Sequence, residues 1–169
     1  MTGKLAAVVL AAGFGRRFGT GNKLHQLLDG KPLLAQSLAP LAEAGLGQVV
    51  VVHAPEDELA SDLALSFAFT PVANPAREQG MGTSLARGVA SLDPDIEAVL
   101  VVLGDMPRVP VSVYRALTQA FDGAAERILV PTFEGGDGHP VLFGGAYFAA
   151  LRQLEGDEGA RRIRASNAA

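Results

Sequence analysis

The stretch Val9–Lys23, VLAAGFGRRFGTGNK, decides how the rest of the chain is read. It opens as the end of an apolar run, Leu5–Ala11, that has the character of a buried strand. It then breaks into a loop holding Gly13, Gly15, Gly19 and Gly21 and carrying Arg16, Arg17 and Lys23. Glycines let backbone N–H groups approach an anion closely, and the cations neutralise it, so the pattern suits phosphate. The bland alternative is a tight turn with solvated arginines, which leaves the ordering cost of those glycines without a return. Two familiar phosphate loops do not fit. A P-loop requires Gly-Lys-Ser/Thr, but Gly19 precedes Thr20 and Lys23 precedes Leu24. A dinucleotide fingerprint beginning at Gly13 requires glycine where Phe18 stands, and no carboxylate ends the second expected strand.

Composition narrows the class. The 169 residues are 49% hydrophobic with few aromatics, which points to one α/β domain spanning 1–169 with small-residue helices packed on a sheet. The absence of cysteine excludes disulfides, thiolate zinc sites and cysteine nucleophiles. A net charge of −4 argues against nucleic acid as a main partner, so an anion must be held by a local cluster of cations. No apolar stretch has membrane-spanning length, and Met1–Lys4 leads into a strand without a signal-peptide pattern; the expectation is a cytoplasmic protein without a membrane partner.

Along the chain, helices are expected over Pro32–Ala44, Pro55–Leu63, Gly82–Leu92 and Val111–Phe121. Strands are expected at Leu5–Ala11, Val49–Val52, Phe67–Val72, Ala98–Leu103, Ile128–Pro131 and Pro140–Phe143. Uniformly apolar strands alternating with helices predict a three-layer α/β/α sandwich with a mostly parallel sheet. Ligands in such sheets bind beyond the carboxyl ends of the strands. That rule singles out Ala12–Lys23, Asn74–Ser84 and Gly104–Arg108, with Gly135–His139 joining them as a glycine turn.

Asp105, in Gly104-Asp105-Met106-Pro107, stands at the mouth of the run AVLVVL. It reads either as a turn residue or as a ligand for magnesium, which favours one or two carboxylates plus phosphate oxygens, and the phosphate loop favours the metal. Thr83 and Ser84 follow Gly80 and Gly82 at a helix start, where hydroxyls can cap the helix or contact a base or ribose. Asn74-Pro75 is a turn pair as well as a possible contact, and Arg77 follows it. His139, in a glycine turn, reads as a structural hydrogen bonder, an acceptor contact or a general base. Asp157 reads as part of an acidic helix start. His25 and His53 have no partner at ligand spacing and receive no role.

The pattern L-A-A-G-x-x-x-R-x-G…N-K at Leu10–Lys23 resembles the nucleotidyltransferases that make molybdenum cofactor dinucleotides, within the nucleotide-diphosphosugar transferase fold. The resemblance continues through Gly80–Leu85, Gly104–Pro107, Gly138-His139-Pro140 and Gly156–Arg161, a G-D-x-G-A-R element, in register over most of the chain. It implies a Rossmann-like sheet of that transferase type and transfer of a nucleotidyl group to a terminal phosphate, with pyrophosphate leaving. It implies Arg17 and Lys23 on the triphosphate, Asp105 on catalytic Mg2+, and Leu10, Ala11, Ala12, Gly13, Gly15, Gly80 and Ser84 around the nucleotide. Asn74, His139 and Asp157 are placed on the acceptor side. Guanylyl members tend to read L-A-G-G where this chain has Ala12, which favours CTP, since a methyl there narrows the space for a purine.

The expected partners are CTP or another nucleoside triphosphate, molybdopterin, and a molybdoenzyme or its maturation chaperone, with the chain a monomer or weak dimer. The family usually continues into a D-x-D-T-P-like segment that supplies a second metal ligand, and the sequence given has none after Arg164. The expectation is therefore that this ligand comes from elsewhere or that metal binding is impaired. The rivals are a guanylyltransferase, a transferase for sugar or polyol phosphates, a nicotinamide oxidoreductase, and a non-catalytic nucleotide-binding or cofactor-chaperone protein.

Overall fold

The computed structural model describes residues 4–13, 22–157 and 159–167. In chain order the elements are β1 (Leu5–Ala11), β2 (Leu27–Leu28), β3 (Lys31–Pro32), α1 (Leu33–Ala42), β4 (Gln48–His53), α2 (Glu58–Ser66), β5 (Thr70–Ala73), α3 (Met81–Ala90) and β6 (Ala98–Leu103). There follow α4 (Val111–Ala120), β7 (Ile128–Leu129), β8 (Thr132–Phe133), β9 (Gly136–Asp137), β10 (Val141–Gly144), α5 (Phe148–Arg152) and α6 (Arg161–Ser166).

Six strands form one sheet in the order β5-β4-β1-β6-β10-β7. β1 is central and parallel to both neighbours, with Ala6 opposite Gln48 on β4 and Leu5 opposite Ala98 on β6. β5 continues the parallel set, and β10 runs antiparallel against β6 and β7. Because side chains alternate along a strand, β1 feeds two cores. Ala7 and Val9 pack with Leu34, Leu38 and Leu41 of α1, Ala60 and Ala64 of α2, and Tyr114 and Leu117 of α4. Ala6 and Val8 pack with Leu85 and Val89 of α3, Phe148 and Leu151 of α5, and Ile163 of α6. The sheet is thus covered on both faces, as uniformly apolar strands require, and the expected three-layer, mostly parallel architecture is the one observed. α3 lies so close that a Cβ on Gly88 would stand 2.3 Å from Val8 Cγ1.

Local chemistry moves several boundaries. α2 starts later than its pattern suggests because Asp57 accepts a hydrogen bond from Ala60 N and serves as the N-cap. The strand expected at Phe67 begins only at Thr70: Phe67 closes α2, Ala68 takes φ +61°, and Phe67 stacks on Phe69 with ring centroids 5.6 Å apart. The glycine turn near Gly135 is the tip of the β8–β9 hairpin, with left-handed φ at Glu134 (+50°) and Gly135 (+81°) as a two-residue hairpin turn requires.

Candidate active site

The chain leaves β1 for β4 and β5 on one flank and returns to β6 on the other. The crevice beyond the carboxyl ends of β1 and β6 is therefore the point where strand order reverses. Two of the expected residues meet there: Lys23 Nζ lies 3.5 Å from Asp105 Oδ2, their side chains 34% and 44% exposed. The strand end fixes Asp105 in place. Gly104 N donates to Leu10 O at 3.0 Å, Ser37 Oγ donates to Gly104 O at 2.7 Å, and a Cβ on Gly104 would stand 2.9 Å from Leu10 O. Lys23 follows Asn22, whose Oδ1 accepts from Leu24 N at 3.0 Å and caps the short turn Lys23–His25.

Ala12 directly follows β1 on the other side of the crevice. Its carbonyl accepts from Arg77 Nη1 at 3.1 Å, and its methyl is 3% exposed, packed in the core under α3. That burial bears on the steric reading of Ala12: the residue packs in the core with little of its surface open. Gly13 is exposed, and Leu10 and Ala11 belong to the strand. The readings of Gly15, Arg16 and Arg17 lie outside the described residues.

Asn74 is enclosed. It is 1% exposed, its Nδ2 donates to Thr83 Oγ1 at 3.0 Å and Ser84 Oγ at 2.8 Å, and its Oδ1 accepts from Ala76 N at 3.0 Å. A side chain so placed ties the β5–α3 loop to the first turn of α3 and does not reach an acceptor at the surface. Ser84 is buried in the same network. The N–H of Gly82 donates to Gly156 O at 2.7 Å and that of Thr83 to Gly80 O at 3.2 Å, so these helix-start donors are committed within the protein. Gly80 is needed for contact: at φ +113° its absent Cβ would stand 2.4 Å from Gly156 C and 2.8 Å from Asp157 Oδ1. This brings the Gly156–Asp157 turn, with Asp157 exposed, against the start of α3.

His139 follows the β8–β9 hairpin, joined to Pro140 by a cis peptide bond. Asp137 of the hairpin pairs with Arg164 of α6. The ring reaches solvent, yet partial desolvation holds its pKa below the usual value; the Arg164 and Arg161 cations add to this and Asp105 opposes it. The imidazole is therefore neutral at physiological pH and able both to donate and to accept a hydrogen bond.

A cluster that sequence spacing did not reveal lies beside Gly13. Gly13, Asn22, His25, Ala54, Glu56, Asp57 and Arg77 line a cavity of about 260 Å³. The Asp57 side chain is 3% exposed; its Oδ1 lies 2.7 Å from His25 Nε2 and its Oδ2 accepts from Asn22 Nδ2 at 3.0 Å. Glu56 Oε1 pairs with Arg77 Nη2 at 2.6 Å. Asp57 and His25 lie 32 residues apart, so no spacing in the sequence points to the pair. His53 is buried, with Nδ1 2.7 Å from Ala54 O.

Among the described residues there is no group of three or more His, Asp or Glu placed to hold a metal. A lone half-exposed carboxylate fits a magnesium-type ion delivered with phosphate oxygens and water, not a resident metal cage. No helix among the described residues is long and apolar enough to cross a membrane.

The purine catabolism protein PucB of Bacillus subtilis is 31% identical over 168 residues, covering 94% of this chain and 80% of PucB. The bifunctional protein GlmU of Geobacter sulfurreducens is 29% identical over 154 residues; the alignment takes in 89% of this chain and 32% of GlmU, so the chain spans about a third of that relative. Among solved structures, Rv0371c of Mycobacterium tuberculosis superposes with a TM-score of 0.79 at 25% identity, covering 96% of this chain and 82% of that one. Its manganese complex superposes equally well, at 24% identity. The sequence pattern of the MobA-like NTP transferase domain matches residues 7–169, so this chain, with its Lys23–Asp105 crevice at the reversal of a parallel sheet, belongs to the MobA-like NTP transferases and is a nucleotidyltransferase.

Proposed function

We propose that the protein transfers CMP from CTP to the terminal phosphate of molybdopterin in the cytoplasm, releasing pyrophosphate. The observation that carries the reading is the convergence of Lys23 and Asp105 across the crevice between β1 and β6. The acceptor phosphate oxygen is already anionic, so the reaction needs no covalent nucleophile and no strong base. Its demands are alignment and neutralisation of charge at the α-phosphorus.

Lys23 donates to the triphosphate, joined in this reading by Arg17. Asp105 would hold a divalent ion, which would supply charge neutralisation and Lewis-acid polarisation at the phosphates. A solved structure of this fold, Rv0371c, is a complex with manganese, which favours a divalent ion, and magnesium is the ion proposed here. Neutral His139, whose ring feels the charges of Arg164, Arg161 and Asp105, hydrogen-bonds the incoming acceptor in this reading, with Asp157 at the margin. The base lies over the Leu10–Gly13 backbone. The preference for CTP rests on the resemblance of Leu10–Gly13 to cytidylyl members, and not on the buried Ala12 methyl. Molybdopterin as acceptor rests on the resemblance of Leu10–Lys23, Gly104–Pro107 and Gly138-His139-Pro140 to the molybdenum cofactor nucleotidyltransferases.

The test is pyrophosphate release with each of the four triphosphates, with and without molybdopterin. Release that requires CTP and molybdopterin together is the expected result. Turnover with GTP makes the chain a guanylyltransferase, turnover only with sugar or polyol phosphates moves the acceptor, and triphosphate binding without release leaves a non-catalytic binding protein.

A further inference from the structure

Among the described residues the Asp57 carboxylate is deeply enclosed, its side chain 3% exposed, and beyond capping α2 it has no role derived above. Its two oxygens take three donors from two directions. Ala60 N reaches it from α2, and the side chains of Asn22 and His25 reach it from the turn that carries Lys23. Asn22 immediately precedes Lys23, its own Oδ1 caps the Lys23–His25 turn, and His25 closes that turn by donating its backbone N–H to Asn22 O at 3.0 Å. Lys23 therefore stands between two residues tethered to one buried carboxylate, which is itself locked to the start of a helix packed on the sheet. The same β4–α2 loop holds the other side of the crevice, where Glu56 pairs with Arg77 and Arg77 donates to Ala12 O.

We propose that Asp57 is a positioning residue for nucleotide binding: through Asn22 and His25 it fixes the Lys23 ammonium at the crevice facing Asp105. The inference rests on Lys23 being a triphosphate ligand. A long lysine on an exposed turn loses rotamer and backbone freedom when it grips phosphate, and a turn already pinned at both flanks has paid most of that ordering in advance.

The test is a double-mutant cycle on binding, which needs no acceptor. Dissociation constants for the magnesium complexes of CTP and GTP are measured calorimetrically for wild type, Asp57→Asn, Lys23→Ala and the double variant. Asparagine keeps an oxygen for Ala60 N and so preserves the helix cap, but sets an N–H against the Asn22 amide. Lys23→Ala should weaken binding about ten- to a hundredfold. Asp57→Asn should weaken it about three- to tenfold in the wild-type background and change it less than about twofold once Lys23 is gone. Asn22→Ala leaves the Asp57 cap untouched and should show the same dependence on Lys23, so the cycle stands even if Asp57→Asn folds poorly. Equal losses with and without Lys23, or no loss in the presence of Lys23, overturn the positioning role alone. Wild-type protein that binds neither nucleotide, or Lys23→Ala binding unchanged, overturns the underlying reading of Lys23 and this inference with it.

Discussion

Gly80→Ala tests whether this glycine is demanded by packing or by a ligand. Gly80 takes φ +113° and ψ +169°, a region essentially reserved for glycine, where a side chain costs about 1–3 kcal/mol. The new methyl would stand 2.4 Å from Gly156 C and 2.5 Å from Gly156 O, an overlap with backbone that adds about 1–3 kcal/mol. If the Gly156 turn retreats to relieve it, the 2.7 Å bond from Gly82 N to Gly156 O goes, at about 0.5–1.5 kcal/mol. The first route gives a loss of about 2–6 kcal/mol and the second about 1.5–4.5 kcal/mol, a large share of the 5–15 kcal/mol typical of a folded domain. At about 2–4 °C per kcal/mol for a chain of this size, Tm should fall by roughly 3–24 °C. Thermal melting followed by circular dichroism measures this, with Gly136→Ala as the control, since its Cβ would meet nothing closer than Phe133 O at 3.6 Å. A Gly80→Ala protein melting within about 2 °C of wild type, but impaired in nucleotide binding, would refute the packing argument and return Gly80 to the nucleotide site.

Asp105→Asn should leave Tm nearly unchanged, because a half-exposed pair is worth at most about 1 kcal/mol, while raising the magnesium concentration needed for half-maximal turnover. Unfolding with an unaltered magnesium dependence would reduce Asp105 to a turn residue. His139→Gln tests the depressed imidazole. The unfolded chain takes up a proton near pH ~6.5 before the folded one does, so wild type loses stability as pH falls from that value toward the folded pKa. The stability advantage of wild type over the glutamine variant should therefore be smaller at about pH 5.5 than at about pH 8, and a difference independent of pH would contradict the local electrostatics. Ala12→Gly should cost roughly 1 kcal/mol through the lost core methyl, yet shift the CTP-to-GTP ratio of kcat/KM by less than about tenfold; a larger shift would show that the methyl does face the base.

The sheet was legible because its strands are decided by local composition. Ala98–Leu103 is apolar at every position and is a strand over that same span, and Val111 starts its helix directly after Pro110. Expectation failed where one side chain overrode the pattern. Asp57 moved the start of α2, and the left-handed Ala68 turned an aromatic run that looks like a strand into a helix exit. In the site, Lys23 and Asp105 could be named because each directly borders a strand-end loop. Asn74, expected on the acceptor side, serves equally well as a turn residue, and its three internal hydrogen bonds tie it to the first turn of α3, which no sequence pattern shows. The His25–Asp57 contact joins residues from two loops that only the folded sheet brings together.

The Lys23–Asp105 pair has a further consequence for how a chain of net charge −4 can accept a polyanion. At 3.5 Å, with both side chains in solvent, the pair holds each charge in place but stabilises the fold by about 1 kcal/mol at most. Separating it is therefore cheap. A charge-assisted bond from Lys23 to a phosphate oxygen is worth about 1.5–3 kcal/mol, and under the proposed reading the freed carboxylate would take the metal ion that comes with the nucleotide. Metal and triphosphate arriving together can satisfy both partners at once, whereas either alone strands the other charge. Nucleotide binding should consequently weaken sharply when magnesium is withdrawn from wild type, and weaken much less in Asp105→Asn, where no carboxylate is left to compete for Lys23. Calorimetric titration of CTP in magnesium and in chelator, for both proteins, reads that difference directly. An equal magnesium effect in the two would mean that Asp105 holds Lys23 in place without ever handing it over.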